Sequence, residues 1–127
     1  MVRYRVFDKR LGDIYDPEQV MGIDFDRQMV TLKNDRGYQF TRFFVEVLFL
    51  AGTGVEDCSR EPREIFEQDF VLVSPLTEGD EPFYGTVVYA DGAFLIENPT
   101  VEDAIVLFQE IRPITIVGNT YSSRGRK

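Results

Sequence analysis

The residues best equipped for chemistry in this chain are its acids. Glu67 and Asp69 stand two apart and could form a paired-carboxylate site, while Glu78, Asp80 and Glu81 gather around Gly79 like the start of a cation loop. Neither set is complete. A twelve-residue calcium loop needs alternating oxygen ligands and a distant bidentate Glu, and the spacing over 76–82 does not supply them. The chain has 0 His, so Ser-His and Cys-His nucleophile pairs are excluded and the commonest general base and metal ligand is missing. Cys58 lies between Asp57 and Ser59, where negative neighbours disfavour the thiolate. As the only cysteine it also excludes an internal disulfide and a cysteine-built zinc site. Gly52-Thr53-Gly54 lacks the Lys and the spacing of a phosphate-cradling loop. For Glu67 and Asp69 the plain alternative is that their oxygens accept hydrogen bonds from turn amides. No catalytic, metal-binding or cofactor-binding residue is assigned, and the enzymatic route left open is carboxylate chemistry with Mg²⁺ or Mn²⁺.

Charge and aromatic residues bear on binding instead. Residues 1–42 carry 8 Lys/Arg against 7 Asp/Glu, residues 43–121 carry 3 against 15, and residues 122–127 carry 3 against 0. An acidic second half opposes phosphate backbones and favours basic partners, or simply keeps the protein in solution. Tyr38, Phe40, Tyr84 and Tyr89 could stack bases on a small barrel, but that mode needs a basic groove. They are better read as core or interface aromatics. Arg3, Arg5, Lys9 and Arg10 form the basic cluster of the folded part and could face an acidic patch on another copy.

The elements that position these residues read as strands. At 127 residues, with 43% hydrophobic residues, the chain can bury a core without disulfides or metals. Val2, Tyr4 and Val6 alternate with Arg3, Arg5 and Phe7, the period of a half-buried strand. Gly12 marks the turn that follows. Val20 to Asp24 and Met29 to Lys33 make a second pair around Asp26-Arg27-Gln28, and Asn34-Asp35-Arg36-Gly37 is a further turn. Phe43 to Leu50 is too continuously apolar to face water on one side and reads as a buried strand or a short helix, with its β-branched and aromatic content leaning towards strand. Residues 1–50 therefore read as an N-terminal β meander. Residues 51–63, polar and holding Gly52, Gly54 and Pro62, read as a linker.

The second half turns on Gly85 to Glu97, two β-rich runs joined by Asp91-Gly92, a pair suited to a tight turn that needs positive φ at both central residues. Phe70 to Val73 flanks this hairpin and Ile114 to Val117 closes it. Glu64 to Asp69 reads as one helical or turn-like step. Asn98 can cap a helix, Pro99 suits its first turn, and Val101, Ala104, Ile105 and Phe108 share one helical face, so a short helix is predicted up to about Glu110. Gly118-Asn119 turns the chain out, and Ser122 to Lys127 reads as a disordered tail. No apolar run approaches the roughly 20 residues of a membrane span, and the first residues lack a signal peptide's apolar region, so a cytoplasmic location with no membrane partner is expected.

Several motifs together resemble the YopX-like proteins of phages and prophages. Ile116-Val117-Gly118-Asn119-Thr120-Tyr121 is similar to the family's Val-Ile-Gly-Asn-x-Tyr, and Glu64 to Val71 is similar to Glu-Ile-Tyr-Glu-Gly-Asp-Ile-Val. Gly85-Thr86-Val87-Val88 with Asp91-Gly92-Ala93-Phe94 resembles its hairpin. Tyr4-Arg5-Val6-Phe7-Asp8 resembles Phe-Arg-Val-Trp-Asp, Gly22 to Phe25 also fits, and Gly52-Thr53-Gly54 loosely echoes a Thr-Gly element. Gln68 stands where the family has glycine, which Gln replaces poorly at positive φ. Phe7 replaces the tryptophan, and Ser122 to Lys127 replaces the family's ending. The resemblance implies a mainly β protein with a small SH3-like barrel over residues 64–121, in the cytoplasm of a bacterial host, and carries over no catalytic or binding residues. The expected role is a non-enzymatic interaction or self-associating protein that does not bind nucleic acid. The alternative is an acidic mimic of DNA that occupies a nucleic-acid-binding host protein.

Overall fold

The structure, a computed structural model, describes residues 3–121; Val2 and the expected tail over 122–127 lie outside the described residues. The chain divides into two compact units, Met1–Ala51 and Gly52–Lys127. Every element among the described residues is a strand or a single 3-10 turn.

In the first unit, β1 (Tyr4–Asp8) pairs antiparallel with β2 (Asp13–Tyr15) across a turn in which Gly12 takes a φ of 75°. After a 3-10 turn at Pro17–Gln19, the expected pair β3 (Val20–Asp24) and β4 (Met29–Lys33) is joined by β5 (Gln39–Phe43) into a three-stranded meander. Its second turn is held by Asn34, whose side-chain oxygen accepts the N–H groups of Arg36 and Tyr38 at 3.0 Å each. Val6, Tyr15, Val30, Leu32 and Val47 form the buried core. At its edge, the carboxylate of the fully buried Asp8 accepts the Arg42 Nε–H at 3.2 Å, and that guanidinium lies 4.7 Å over the Phe40 ring.

Two expectations need correcting here. The apolar run Phe43 to Leu50 is broken by a 3-10 turn at Phe44–Glu46, which leaves Phe43 and Val45 exposed. Glu46 makes the break, because its side chain accepts the Phe43 N–H at 2.9 Å. The polar stretch read as a linker over 51–63 begins inside a strand, β6 (Val47–Glu56). Its residues Val47 to Ala51 pair with β1 in the first unit, whereas Gly52 and Glu56 pair with β7 (Glu64–Phe66) in the second. The glycines accommodate a register shift between Gly52 and Glu56, with Gly54 at a φ of 80°, so they mark a bulge and not an end of pairing.

The second unit is built on a curled half-barrel sheet in the order β11-β10-β9-β8-β12. These strands are β8 (Asp69–Val73), β9 (Phe83–Ala90), β10 (Ala93–Asn98), β11 (Asp103–Val106) and β12 (Ile114–Asn119). The central β9–β10 hairpin turns at Asp91 and Gly92, with φ of 52° and 80°, as that dipeptide predicts. One face of the sheet buries Val71, Val73, Val87, Ile96, Ile114 and Ile116 against Ile65 and Leu107. The helix expected before Glu110 is absent. Asn98 accepts the Thr100 N–H at 3.0 Å, but this makes a turn, and Glu102 then adopts a φ of 53° that stops helical propagation. Ile105 and Val106 fall on opposite faces of β11, paired with β10, so strand pairing prevails over the helical spacing, and a single 3-10 turn at Leu107–Gln109 remains.

Candidate functional site

Glu67 and Asp69 do not form a paired-carboxylate site. Asp69 is fully buried, and its oxygens accept the Phe66 N–H at 2.8 Å and the Asn119 side-chain N–H at 2.9 Å. Asn119 in turn accepts the Tyr121 N–H at 2.8 Å, and Thr120 donates its N–H to the Gln68 carbonyl at 2.9 Å. The stretches Glu64 to Val71 and Ile116 to Tyr121 thus fasten to each other, and Gly118-Asn119 end β12, after which the chain turns at Thr120 and Tyr121 as that pair leads one to expect. Gln68 holds the positive-φ position after all, at 68°, with its side chain bonded to the Thr120 hydroxyl at 3.1 Å.

A second carboxylate joint was not foreseen. Asp57 accepts the N–H groups of Arg63 and Ile116 at 3.0 Å each and the Ser59 hydroxyl at 2.8 Å. It covers the outer edge of β12. Burial alone pushes its carboxyl up, but the hydrogen bonds from Arg63, Ile116 and Ser59 together outweigh it and leave the group below the ordinary aspartate value. Nothing local in sequence announces a partner 59 residues away. Glu110 is held at about 2, chiefly by its side-chain hydrogen bonds with Arg112, against the opposing push of burial.

Cys58 is exposed, and its N–H donates to the Ile114 carbonyl at 2.7 Å. In the basic cluster, Arg3 pairs with Glu18, Arg5 with Asp16 and Arg10 with Glu46, all inside the first unit. Glu78, Asp80 and Glu81 lie exposed, and no group of three or more Cys, Asp or Glu side chains converges to hold a metal ion among the described residues. None of the described helices is long and apolar enough to cross a membrane.

What the second unit does offer is an open groove of about 420 Å³ on the sheet face opposite its core. The register sets its geometry: Gly118, Phe70, Thr86, Glu97 and Ala104 sit side by side across β12, β8, β9, β10 and β11. Alternation turns Phe70 and Thr86 away from the core that takes Val71 and Val87. Tyr84, 54% exposed, and Val117, 49% exposed, stand beside half-buried Phe70, and Pro99 adds apolar surface at one end. Glu97 forms one lip and continues into a smaller depression of about 340 Å³ with Glu102 and Asp103. The described walls of both carry no Lys or Arg. Behind the groove, Gly85 leaves room for the core, since a Cβ there would lie 2.6 Å from Ile96 Cγ2 and 3.0 Å from the Glu97 carbonyl oxygen. Of these residues the sequence picked out only Tyr84 as a candidate contact.

The architecture is that of an all-β protein whose second unit is a curled half-barrel. Among solved structures, the chain is similar to the crystal structure of protein EF1440 from Enterococcus faecalis, with a TM-score of 0.60 and 18% sequence identity over 95% of this chain and 94% of that one. At that identity the likeness is one of fold. No family model matches the chain, and no curated protein matches it.

Proposed function

We propose that this is a non-enzymatic interaction protein of phage or prophage origin, acting in the cytoplasm of a bacterial host, that binds a protein through the outer face of its half-barrel. The observation that carries the reading is the groove at Phe70, Tyr84 and Val117, where aromatic and aliphatic surface stays open to solvent beside an acidic lip. Exposed Tyr on a rigid strand is the kind of anchor that dominates protein interfaces, because it adds contact area while losing little side-chain freedom. Self-association through the basic cluster gains less support, since Arg3, Arg5 and Arg10 already have acidic partners in their own unit. Mimicry of DNA also gains less. Asp57 and Asp69 are buried hydrogen-bond acceptors, and Glu110 is engaged by Arg112, so these acids are not displayed as a row of phosphate-like charges.

The test is retention from a bacterial lysate on immobilised full chain, comparing wild type with Tyr84→Ser and Val117→Asp and with Glu78→Gln as control. A discrete protein held by wild type and control but lost with both groove variants, at unchanged melting temperature, is the expected result. Equal retention by all four proteins would remove the groove from the interface.

A further inference from the structure

We infer that the occupant of this groove is an extended, cationic segment of a partner protein, with an apolar side chain seated on Phe70 and Tyr84 and an Arg or Lys three residues away reaching Glu97. The inference rests on the interaction reading above and adds the chemistry of the partner. It follows from the sheet's spacing. Phe70 and Glu97 are two strands apart in one lateral row, β8 to β9 to β10, and strands about 4.8 Å apart put them roughly 10 Å from each other. An extended segment in the polyproline II conformation advances about 3.1 Å per residue and returns to the same side every three residues, so the side chain three positions on covers about that distance and faces the same surface. The groove runs across the strands, from Val117 on β12 to Glu97 on β10, and a segment lying along it meets apolar surface first and carboxylates last.

Charge selects the sign of the partner. Glu97, Glu102 and Asp103 are exposed, and the groove and its extension present no cation of their own among the described walls. An acidic or neutral segment would leave these carboxylates without compensation, whereas a guanidinium can bind one of them through two parallel N–H donors. Thr86 lies between the apolar and acidic ends and offers a hydroxyl to the segment's backbone. Recognition of this sort sets on-rate and specificity more than total affinity, so binding should be weak to moderate and salt-sensitive.

The experiment titrates the ¹⁵N-labelled full chain with acetylated decapeptides that carry Leu or Tyr three residues from Arg in a Ser/Gly/Pro context. Matched peptides have Gln in place of the Arg. The Arg series is expected to shift the amides of Phe70, Tyr84, Thr86, Glu97 and Val117, and the Gln series to bind about two- to five-fold more weakly, as surface ion pairs allow. Glu97→Gln with Glu102→Gln should erase that preference while leaving the residual apolar binding, and Tyr84→Ser should abolish both. Equal binding of the two series would overturn the cationic assignment and leave the groove as an apolar site. Binding by none of the peptides would overturn the assignment too, and the lysate test then judges the interaction reading separately. Two further outcomes go against it: peptide binding that emerges only when 122–127 are deleted would give the groove to the chain's own basic end, and groove shifts that grow with protein concentration alone would give it to a second copy.

Discussion

Exchanging the side chains of Asp69 and Asn119 is the sharpest perturbation of the framework behind the groove. In the native joint one carboxylate oxygen of Asp69 takes the Phe66 N–H at 2.8 Å and the other takes an Asn119 N–H at 2.9 Å. Asp69→Asn puts an amide NH₂ against one of these donors. Leaving a buried donor unmet costs about 1–3 kcal/mol. Asn119→Asp is worse, since two carboxylates then meet where no water screens them, and an uncompensated buried charge costs about 3–5 kcal/mol. Combining the two substitutions restores the pattern in reverse. The new amide at position 69 keeps an oxygen for the Phe66 N–H and donates to the new carboxylate at position 119, which still accepts the Tyr121 N–H now bound at 2.8 Å. At about 4 °C of melting temperature per kcal/mol for a chain of this size, the single variants should fall by roughly 4–12 °C and 12–20 °C. The double variant should recover most of that loss. The assay is thermal and urea unfolding followed by far-ultraviolet circular dichroism, with the coupling taken from the cycle. Additive losses, with the double variant the least stable of the four, would refute the claim that these two side chains form the joint between β8 and β12.

Other expectations concern the hairpin and its surroundings. Gly85→Ala should destabilise by about 1–3 kcal/mol, because the new methyl meets Ile96 Cγ2 and the backbone of Glu97 with no flexible end to yield; Ile96→Leu, which removes that branch, should recover part of it, and no change on Gly85→Ala would show the contact to be open. Gly92→Ala has nothing within 4 Å and should show only the cost of its φ of 80°, about 1–2 kcal/mol, a difference that chevron or equilibrium unfolding resolves. Asp57 and Glu110 are both lowered in the folded chain, so their contribution is complete above the unfolded carboxylate range and is lost as pH falls through the folded values, for Glu110 towards about 2. Melting temperature should therefore drop between about pH 4.5 and 2, and less steeply in Asp57→Asn and Glu110→Gln; parallel curves for all three would contradict the assignment. In the first unit, Arg42→Met should destabilise by about 3–5 kcal/mol by removing the ion-pair partner of fully buried Asp8, while the Arg42→Met, Asp8→Asn double variant recovers part of the loss.

Local chemistry was legible in the sequence wherever it was self-contained. Asp91-Gly92 set the β9–β10 turn, Asn34 held its own loop, alternation placed β1, and the polar Asp26-Arg27-Gln28 step separated β3 from β4, because each depends on residues a few positions apart. The failures came where distant pairing overrode local preference. Val101, Ala104, Ile105 and Phe108 have a helix's spacing, yet the open edge of β10 offered strand pairing, and β11 forms instead. Gly52 and Gly54 look like a linker, yet β6 continues through them. The groove was largely hidden for the same reason. Phe70, Glu97 and Val117 are far apart in sequence and become neighbours through sheet register, which composition and periodicity do not encode. Asp69, half of the carboxylate pair with chemical promise in the sequence, became a joint, and the open groove is made of residues that read as ordinary strand.

The most direct test of the interaction account is site-specific photocrosslinking of the full chain in bacterial lysate, with benzoylphenylalanine placed in turn at Tyr84, Val117 and the exposed loop residue Glu78, which does not line the groove. The account predicts the same partner protein crosslinked at positions 84 and 117 and not at 78, with a basic segment at the crosslinked peptide. Crosslinks equal at all three positions, or confined to 78, would contradict it.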